Sequence, residues 1–395
     1  MTNIFQQVQP VCPIVFGAGT LTELPCYIKS YRGTRVFCIC GEGIKNAHII
    51  DNVTKLLDEQ GIFYVVYDGV QHDTPDYIVD EAAEMARQYK CDLVIGVGGG
   101  SCMDTAKAVS VLLDNPGKIS EYYSKDPADF TSRTPLILLP TSSGTGSEVT
   151  KLSVIHDSGS DTKIPVFRCA NLTIVDCELT ISTSPAITAA SGFDALAHAL
   201  EAYTSKYHTE VVDSLALQAI RLIVENLLAA YDDGTNIIAR ENLAFASNIA
   251  GIAFNEVSVH VGHAIAHEFG LRFNLSHGVA CALTLTTVMH DLFANEPERA
   301  QAIAEIFGFS VSDVNEAEPS NAIDGHEAEI HVRNRIHQML KATKIPSLKD
   351  LNVSLEQALS CAQGAIDNNQ FLDASPVPVT LEYIENAIKF LYNDY

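Results

Sequence analysis

The chain has 395 residues, of which 25 are Lys or Arg and 49 are Asp or Glu, so its formal net charge is −24 with histidine neutral. Hydrophobic residues make up 47% and charged residues 19%, which excludes a mostly disordered chain and predicts two or three domains of roughly 100–200 residues. A surface this acidic repels phosphates, so the composition argues against nucleic acids and anionic membrane surfaces as partners.

The first residues and the cysteines bear on the compartment. The segment MTNIFQQVQP has neither the basic region nor the apolar core of a signal peptide, and no apolar run approaches the ~18 residues of a membrane span. Ten cysteines are too sparse for a disulfide scaffold. Cys38, Cys40 and Cys91 lie in or beside apolar runs, which is typical of buried thiols. The sequence therefore predicts a reduced, cytoplasmic protein.

The first 180 residues alternate apolar runs with helical patterns. Runs rich in β-branched residues and bounded by Gly, Asp or Pro predict strands at 35–41, 62–69, 92–100 and 135–141. Apolar residues at helical spacing predict helices at 45–59, 76–89 and 102–113. This alternation is typical of a parallel sheet covered on both faces, which binds ligands at the carboxyl ends of its strands.

From about Pro185 the pattern changes to long helical runs with little strand character. Helices are predicted at 186–204, 211–231, 237–268, 279–306, 325–344, 354–367 and 380–394. The polar, acidic residues 310–329 are expected to form a solvated loop or a loose helix start. The predicted organisation is therefore an α/β domain over 1–184 and an all-helical domain over 185–395.

Two glycine-containing segments follow predicted strands. In the first, Gly98, Gly99, Gly100 and Ser101 join a strand to a helix, where bare backbone and free N–H groups suit a pyrophosphate. The spacing is not G-x-G-x-x-G, and such a turn is about as often a tight connection without a ligand. The second segment, 140–148, offers the hydroxyls of Thr141, Ser142 and Thr145. Two such segments at the ends of neighbouring strands predict a nucleotide site.

An aspartate and several histidines recur at helical spacing in the second half. They are Asp194 and His198 at i, i+4, then His260, His263 and His267 at i, i+3 and i+7, then His277. A single histidine on an apolar helix is more often a satisfied core residue than a ligand. Three imidazoles on one apolar stripe, however, cost desolvation energy unless something coordinates or hydrogen-bonds them. One carboxylate and three imidazoles from three helical segments predict a site for Fe(II), Zn, Mn or Co rather than Ca or Mg.

Four motifs, in this order and spacing, resemble the iron-containing (group III) alcohol dehydrogenase family: GGGSCMDTAK, PTSSGTGSEVT, GFDALAHALEAY and GHAIAHEFGLRFNLSHGVA. The resemblance extends from FGAGTL near residue 16 to SPVPVTLEYI near residue 375. It implies a dehydroquinate synthase-like architecture, in which a dinucleotide-binding α/β domain with a parallel sheet precedes an all-helical domain, with the active site in the cleft between them.

The resemblance also implies roles for individual residues. The metal ligands fall on Asp194, His198, His263 and His277. A catalytic proton relay near the nicotinamide falls on His267, and His260 is left as a neighbour. Contacts to the dinucleotide fall on Gly98, Gly99, Gly100, Ser101, Asp104, Thr141, Ser142, Thr145 and Lys163.

The implied reaction is hydride transfer between NAD(P) and a short-chain alcohol or aldehyde that a divalent metal polarises. Fe(II) is the first choice of metal, with Zn or Mn as alternatives. The implied assembly is a homodimer or a larger homo-oligomer. A metal-dependent hydrolase or lyase that uses the same Asp and His residues is the alternative function.

Three departures from the family pattern concern specificity. Gly41 stands where many NAD-preferring members have Asp; since Glu42 repels a 2′-phosphate and only Lys45 is a nearby cation, NAD is favoured and NADP stays open. The usual Pro-Asn-Pro is replaced at 72–74 by His-Asp-Thr. The third departure is the segment after Lys163, which carries Arg168. Arg168 and Arg272 could favour an anionic aldehyde such as sulfoacetaldehyde, although surface ion pairs are the expected role for each.

Overall fold

The computed structural model describes residues 11–160, 162–309, 325–367 and 371–395. The chain divides at Thr183 and Ser184 into two compact units, Pro10–Thr183 and a unit that contains Ser184–Tyr395. Most of the predicted solvated loop, residues 310–324, lies outside the described residues, and 325–329 begin a helix. Within the described ranges, none of the helices combines the length and apolar character that crossing a membrane requires.

The first unit is built on a six-stranded parallel sheet with strand order β1-β8-β5-β4-β2-β3. Its strands are β1 Ile14–Phe16, β2 Arg35–Gly41, β3 Phe63–Val70, β4 Leu93–Gly98, β5 Leu136–Pro140 and β8 Leu172–Val175. An antiparallel hairpin is formed by β6 Leu152–Asp157 and β7 Thr162–Phe167. The helices are α1 Leu24–Ser30, α2 Glu42–Asn46, α3 Ile49–Glu59, α4 Asp76–Gln88 and α5 Gly100–Asp114.

Alternation along the buried strands explains why the sheet carries a core on each face. In β4, Val94 packs into one hydrophobic cluster with Phe37 and Leu138, whereas its neighbour Ile95 packs into a second cluster with Ile137. Successive side chains of a strand point to opposite faces, so a continuous apolar run needs cover on both. The structure confirms the predicted parallel α/β class. The strands β1, β6, β7 and β8 were not predicted.

The second unit is helical, as predicted. Its helices are α6 Pro185–Thr204, α7 Glu210–Asp232, α8 Ile237–Val257, α9 Val261–Phe273, α10 His277–Asn295, α11 Pro297–Ile306, α12 Gly325–Ala342, α13 Leu355–Leu359, α14 Ala362–Asp367 and α15 Leu381–Asp394. One large hydrophobic cluster runs through these helices, with fully buried members such as Phe193 and Phe269. Ser184 caps α6 by accepting a hydrogen bond from the N–H of Ile187.

Four predicted helices are interrupted, and the one expected over 354–367 divides into α13 and α14. The helix expected over 45–59 breaks at His48, whose φ of 58° is left-handed. The helix expected over 237–268 breaks after Val257, where Ser258 has a φ of 66° and its N–H bonds to Phe254 O at 2.7 Å. The helix expected over 279–306 restarts at Pro297, which lacks the N–H that a continuous helix needs. His260 therefore precedes α9, so the prediction that it shares a helical stripe with His263 and His267 was wrong.

All ten cysteines are free thiols. Cys38 and Cys40 on β2 are completely buried, and burial raises the pKa of Cys40 to about 11. Cys91 is partly buried beside β4. These thiols act as small apolar side chains of the sheet.

Candidate functional site

A carboxylate and three imidazoles from three helices of the second unit lie together. Asp194 and His198 are on α6, His263 is on α9 and His277 is the first residue of α10. One ligand atom from each of the four lies within 4.8 Å of all the others. Asp194 Oδ1 is 3.4 Å from His277 Nε2 and 4.0 Å from His198 Nε2.

The cluster lies largely away from solvent. The residues Asp194, His198 and His263 are 2–5% exposed, while the His277 side chain is 32% exposed. Burial lowers the pKa of His263 to about 3, so that its imidazole is neutral at ordinary pH, the state a metal ligand needs. Burial raises the pKa of Asp194, an effect that the neighbouring His198 partly offsets.

The cluster contains a polar atom whose missing partner could be a cation. Asp194 Oδ1 is buried and has no hydrogen-bond partner. An unpaired buried carboxylate oxygen is costly, and a divalent ion held with the three imidazoles would satisfy it. Mixed nitrogen and oxygen ligands suit Fe(II), Zn or Mn. The four residues are therefore a candidate centre for such a metal.

Three other side chains border the candidate centre. Phe254 stacks on His198, with ring centroids 4.2 Å apart and planes 16° apart. Cys281, one turn along α10 from His277, places Sγ 3.6 Å from Nε2 of both His263 and His277. His267, also on α9, has its ring centroid 5.3 Å from that of His277 and 5.1 Å from that of Phe371.

Glu201 is a buried residue that the sequence reasoning missed. It lies on α6, seven residues after Asp194 and three after His198, and its side chain is fully buried. Its Oε1 is 2.7 Å from Nδ1 of His263. The i, i+4, i+7 spacing within GFDALAHALEAY is a stripe along one helix face and could have revealed it.

The glycine turn of the first unit has the predicted shape. Gly98 ends β4 with a φ of 148°, and Gly99 is the N-cap of α5 without a side-chain cap. A Cβ on Gly98 would lie 2.5 Å from Cys102 Sγ, and one on Gly100 would lie 3.0 Å from Thr145 Cγ2. The bare backbone at the start of a 15-residue helix leaves N–H groups and the positive end of its dipole for an anion.

The two glycine-containing segments meet, as neighbouring strands require. Gly98 pairs with Pro140 in the sheet, and the N–H of Thr141 bonds to Gly98 O at 3.0 Å. A Cβ on Gly99 would lie 3.2 Å from Ser142 Oγ. Thr145 Oγ1 accepts a hydrogen bond from the N–H of Ser147, so this hydroxyl also stabilises its own loop. Ser101, on the first turn of α5, is partly exposed.

Asp104 and Lys163 are held by other protein groups. Asp104 lies on α5 with its side chain 13% exposed, and its two oxygens accept hydrogen bonds from Ser147 Oγ at 2.6 Å and Val154 N at 3.0 Å. This carboxylate ties α5 to the loop and to β6. Lys163 on β7 places Nζ 2.8 Å from Asp73 Oδ1. Asp73 and the following residue, Thr74, both have left-handed φ values, 62° and 52°.

The structure revises the prediction for Arg168 and agrees with the expected role of Arg272. Arg168 is buried and donates hydrogen bonds to Ser110 Oγ, Asn171 Oδ1 and two backbone carbonyls. It is therefore neither a surface ion pair nor a free anion-binding group, because its guanidinium is used to connect buried segments. Arg272 forms the expected surface ion pair, with Nε 3.2 Å from Glu268 Oε2 one turn earlier on α9.

Both halves of the chain match models of one protein family. Residues 13–177 match the model of the iron-containing alcohol dehydrogenases, and residues 188–392 match that of the C-terminal region of Fe-containing alcohol dehydrogenases. The chain is 34% identical over 320 residues to an NAD-dependent methanol dehydrogenase of Bacillus methanolicus, covering 80% of this chain and 83% of that one. It is also 34% identical to a 1,3-propanediol dehydrogenase of Citrobacter freundii, covering 90% and 91% of the two chains.

A solved structure has the same architecture. The sulfoacetaldehyde reductase from Bifidobacterium kashiwanohense, in complex with NAD+, superposes with a TM-score of 0.85 at 27% identity, and the match covers 99% of each chain.

Proposed function

Because the chain belongs to the iron-containing alcohol dehydrogenase family, we propose that it interconverts a short-chain alcohol and its aldehyde with a nicotinamide cofactor and a divalent metal. The observation that carries this proposal is the buried cluster of Asp194, His198, His263 and His277. A buried carboxylate oxygen without a hydrogen-bond partner beside three imidazoles is costly in an apolar core unless a cation completes it.

Asp194, His198, His263 and His277 would hold the metal. A bound divalent ion supplies a Lewis acid that polarises a carbonyl oxygen or lowers the pKa of an alcohol. The Asp194 anion offsets part of the charge of the ion, and Phe254 restricts the ring of His198 by stacking on it. Fe(II) is proposed from the family, with Zn and Mn as alternatives that accept the same ligands.

His267 is proposed as the proton relay. Its imidazole lies beside His277, the most exposed of the four proposed ligands, and edge-on to Phe371. A ring nitrogen there could exchange the hydroxyl proton of an alcohol with solvent, because imidazole titrates near neutral pH.

NAD is proposed as the cofactor, with its pyrophosphate at the start of α5. Gly98, Gly99, Gly100 and Ser101 supply close-approaching backbone, and the hydroxyls of Thr141, Ser142 and Thr145 line the adjoining loop. Selection against NADP is supported by charge. Lys45, four residues after the end of β2, pairs with Asp68, so it is not free to receive a 2′-phosphate.

A neutral short-chain substrate is proposed. The relatives named above act, by their names, on methanol, 1,3-propanediol and sulfoacetaldehyde, of which only the last is anionic. Arg168 and Arg272 were the residues that suggested an anion pocket, and both are engaged within the protein. Cytoplasmic location and assembly as a homodimer or larger homo-oligomer stay predictions.

A cofactor oxidation screen tests the proposal. NADH and NADPH would be incubated with acetaldehyde, propionaldehyde, glyoxylate and sulfoacetaldehyde, each with added Fe(II), Mn(II) or Zn(II), and absorbance at the nicotinamide band followed. We expect metal-dependent oxidation of NADH with the neutral aldehydes. Absence of any nicotinamide change together with metal-dependent hydrolysis or elimination would instead support the hydrolase or lyase alternative.

A further inference from the structure

Glu201 contacts one of the proposed metal ligands on the side that faces away from the candidate centre. Its carboxylate is fully buried in α6. Oε1 lies 2.7 Å from Nδ1 of His263 and accepts a hydrogen bond from the backbone N–H of His263 at 2.9 Å. Oε2 accepts a hydrogen bond from the backbone N–H of His260 and lies 3.7 Å from Nδ1 of that residue. Both oxygens are thus directed at the segment that begins α9.

Room for this carboxylate depends on a glycine. A Cβ on Gly262 would lie 2.5 Å from Glu201 Oε1 and equally close to a methyl group of Val288. Gly262 is the second residue of α9, which begins at Val261, so Glu201 reaches the backbone N–H groups of the first helical turn. A buried carboxylate at this place is stabilised by the helix dipole and by the two N–H donors.

The contact also decides which nitrogen of His263 carries a proton. Because an ionised Glu201 can only accept hydrogen bonds, its 2.7 Å contact with Nδ1 of His263 requires the proton to be on Nδ1. The lone pair of a neutral ring is then on Nε2, and Nε2 is the atom that lies 3.6 Å from Cys281 Sγ on the side of α10, where His277 also lies. The orientation of His263 toward the candidate centre therefore follows from its bond to Glu201.

We propose that Glu201 is a positioning residue of the metal site, which fixes the tautomer and ring orientation of His263 so that Nε2 is presented to the metal. The inference rests on the proposed function, since it takes His263 as a ligand. Carboxylates that accept the second N–H of a ligating histidine raise its basicity and fix its geometry. Two buried carboxylates, Asp194 and Glu201, would also balance the charge of one divalent ion held at this cluster.

The competing explanation is that Glu201 only caps α9. A cap contributes to the stability of the protein whether or not metal is present, whereas a positioning residue contributes to metal affinity. The two roles are therefore separable by measuring metal binding and the stability of the metal-free protein on the same variants.

The main experiment compares Glu201→Gln with a matched variant, Glu329→Gln. Glu329 is also buried and accepts a hydrogen bond from a histidine, His290 Nδ1 at 2.9 Å, but that histidine is not among the four proposed ligands. Zinc affinity would be measured by chelator competition, the thermal midpoint would be measured on metal-free protein, and the visible absorption of the Co(II)-loaded protein would report ligand geometry.

We expect Glu201→Gln to weaken zinc binding about 10–100-fold and to alter the Co(II) spectrum, while Glu329→Gln leaves both near wild type. Glu201→Asp, which keeps the carboxylate but shortens its reach, should lie between them. Wild-type zinc affinity and an unchanged Co(II) spectrum in Glu201→Gln, with a lowered thermal midpoint alone, would overturn the inference and leave Glu201 as a cap.

A second measurement does not depend on the variants folding. Long-range nitrogen–proton NMR spectra of wild-type metal-free protein with 15N-labelled histidine, assigned by comparison with His263→Gln, should show His263 protonated on Nδ1. Protonation on Nε2 would overturn the inference. If wild-type protein and His263→Ala bind metal equally, or if neither binds it, the proposed function fails as well. That outcome is distinct from a failure of the role of Glu201 alone.

Discussion

In the α/β unit the proposed ligand contacts are mainly backbone groups at Gly98, Gly99 and Gly100, whereas in the helical unit they are side chains on α6, α9 and α10. Asp104 and Lys163, the polar side chains of the α/β unit that are expected to contact the cofactor, are already paired with other groups of that unit. In the helical unit, by contrast, Asp194 keeps a buried oxygen without a partner.

The difference shows that the two units combine stable folding with ligand binding in different ways. A pyrophosphate can be held by N–H groups that any helix start leaves unpaired, so the α/β unit needs only to keep bulky side chains away. A metal needs specific donor atoms. The helical unit must therefore bury polar side chains and orient them through further hydrogen bonds, as we propose for Glu201 and Nδ1 of His263.

The largest expected effect is in the helical unit. Replacing His263 with Ala removes one ligand from the proposed centre, and loss of several kcal/mol of Lewis-acid stabilisation corresponds to a fall in kcat/KM of at least about a thousandfold. Metal content by elemental analysis and NADH oxidation would be measured together. His290→Ala, which changes a histidine paired with Glu329, is the control. Full activity of metal-free His263→Ala would refute the ligand assignment.

A smaller effect is expected when the backbone approach of the α/β unit is obstructed. Gly99 has extended backbone angles that valine accepts, so Gly99→Val adds bulk at the helix start without backbone strain, at a position where the new Cβ lies 3.2 Å from Ser142 Oγ. Losing hydrogen bonds to a charged pyrophosphate should raise KM for NADH by roughly 10–100-fold, with zinc affinity unchanged. Gly43→Ala, where a Cβ meets nothing within 4 Å, is the matched control. A KM equal to that of the wild type would argue against a pyrophosphate at this turn.

Lys163 tests whether a side chain of the α/β unit adds to the backbone contacts. If Lys163 reaches the cofactor from its pair with Asp73, Lys163→Met should raise KM for NADH by about three- to tenfold and leave kcat close to wild type. Lys29→Met provides the control, since Lys29 is an exposed lysine of the same unit that bonds to Gln60. Identical kinetic constants for both variants would show that Lys163 serves only its ion pair.

The smallest effect is expected for cofactor choice. Asp68→Ala should free Lys45, so the ratio of kcat/KM for NADPH to that for NADH should rise. The rise should be no more than about fivefold, because exposed charges are screened by salt. The ratio should approach that of the wild type at high ionic strength. A lower ratio in Asp68→Ala than in the wild type would show that Asp68 does not restrain Lys45.

Much of the site was readable from spacing because helices repeat regularly. Asp194 and His198 lie one turn apart in the sequence and share a face in the structure. The same periodicity failed at His260, because the left-handed Ser258 ends α8 before it. Backbone conformation at a single residue leaves little trace in apolar spacing, so such breaks are hard to foresee.

The sequence by itself determined the two-unit organisation, the parallel sheet and the four residues of the candidate metal cluster, because these depend on local periodicity and on motifs in fixed order. Only the tertiary structure decided which polar groups are already engaged. The guanidinium of Arg168 is engaged in buried hydrogen bonds, and Glu201 hydrogen-bonds to His263, 62 residues away. Such partners belong to separate strands and helices, so they meet only when the chain packs.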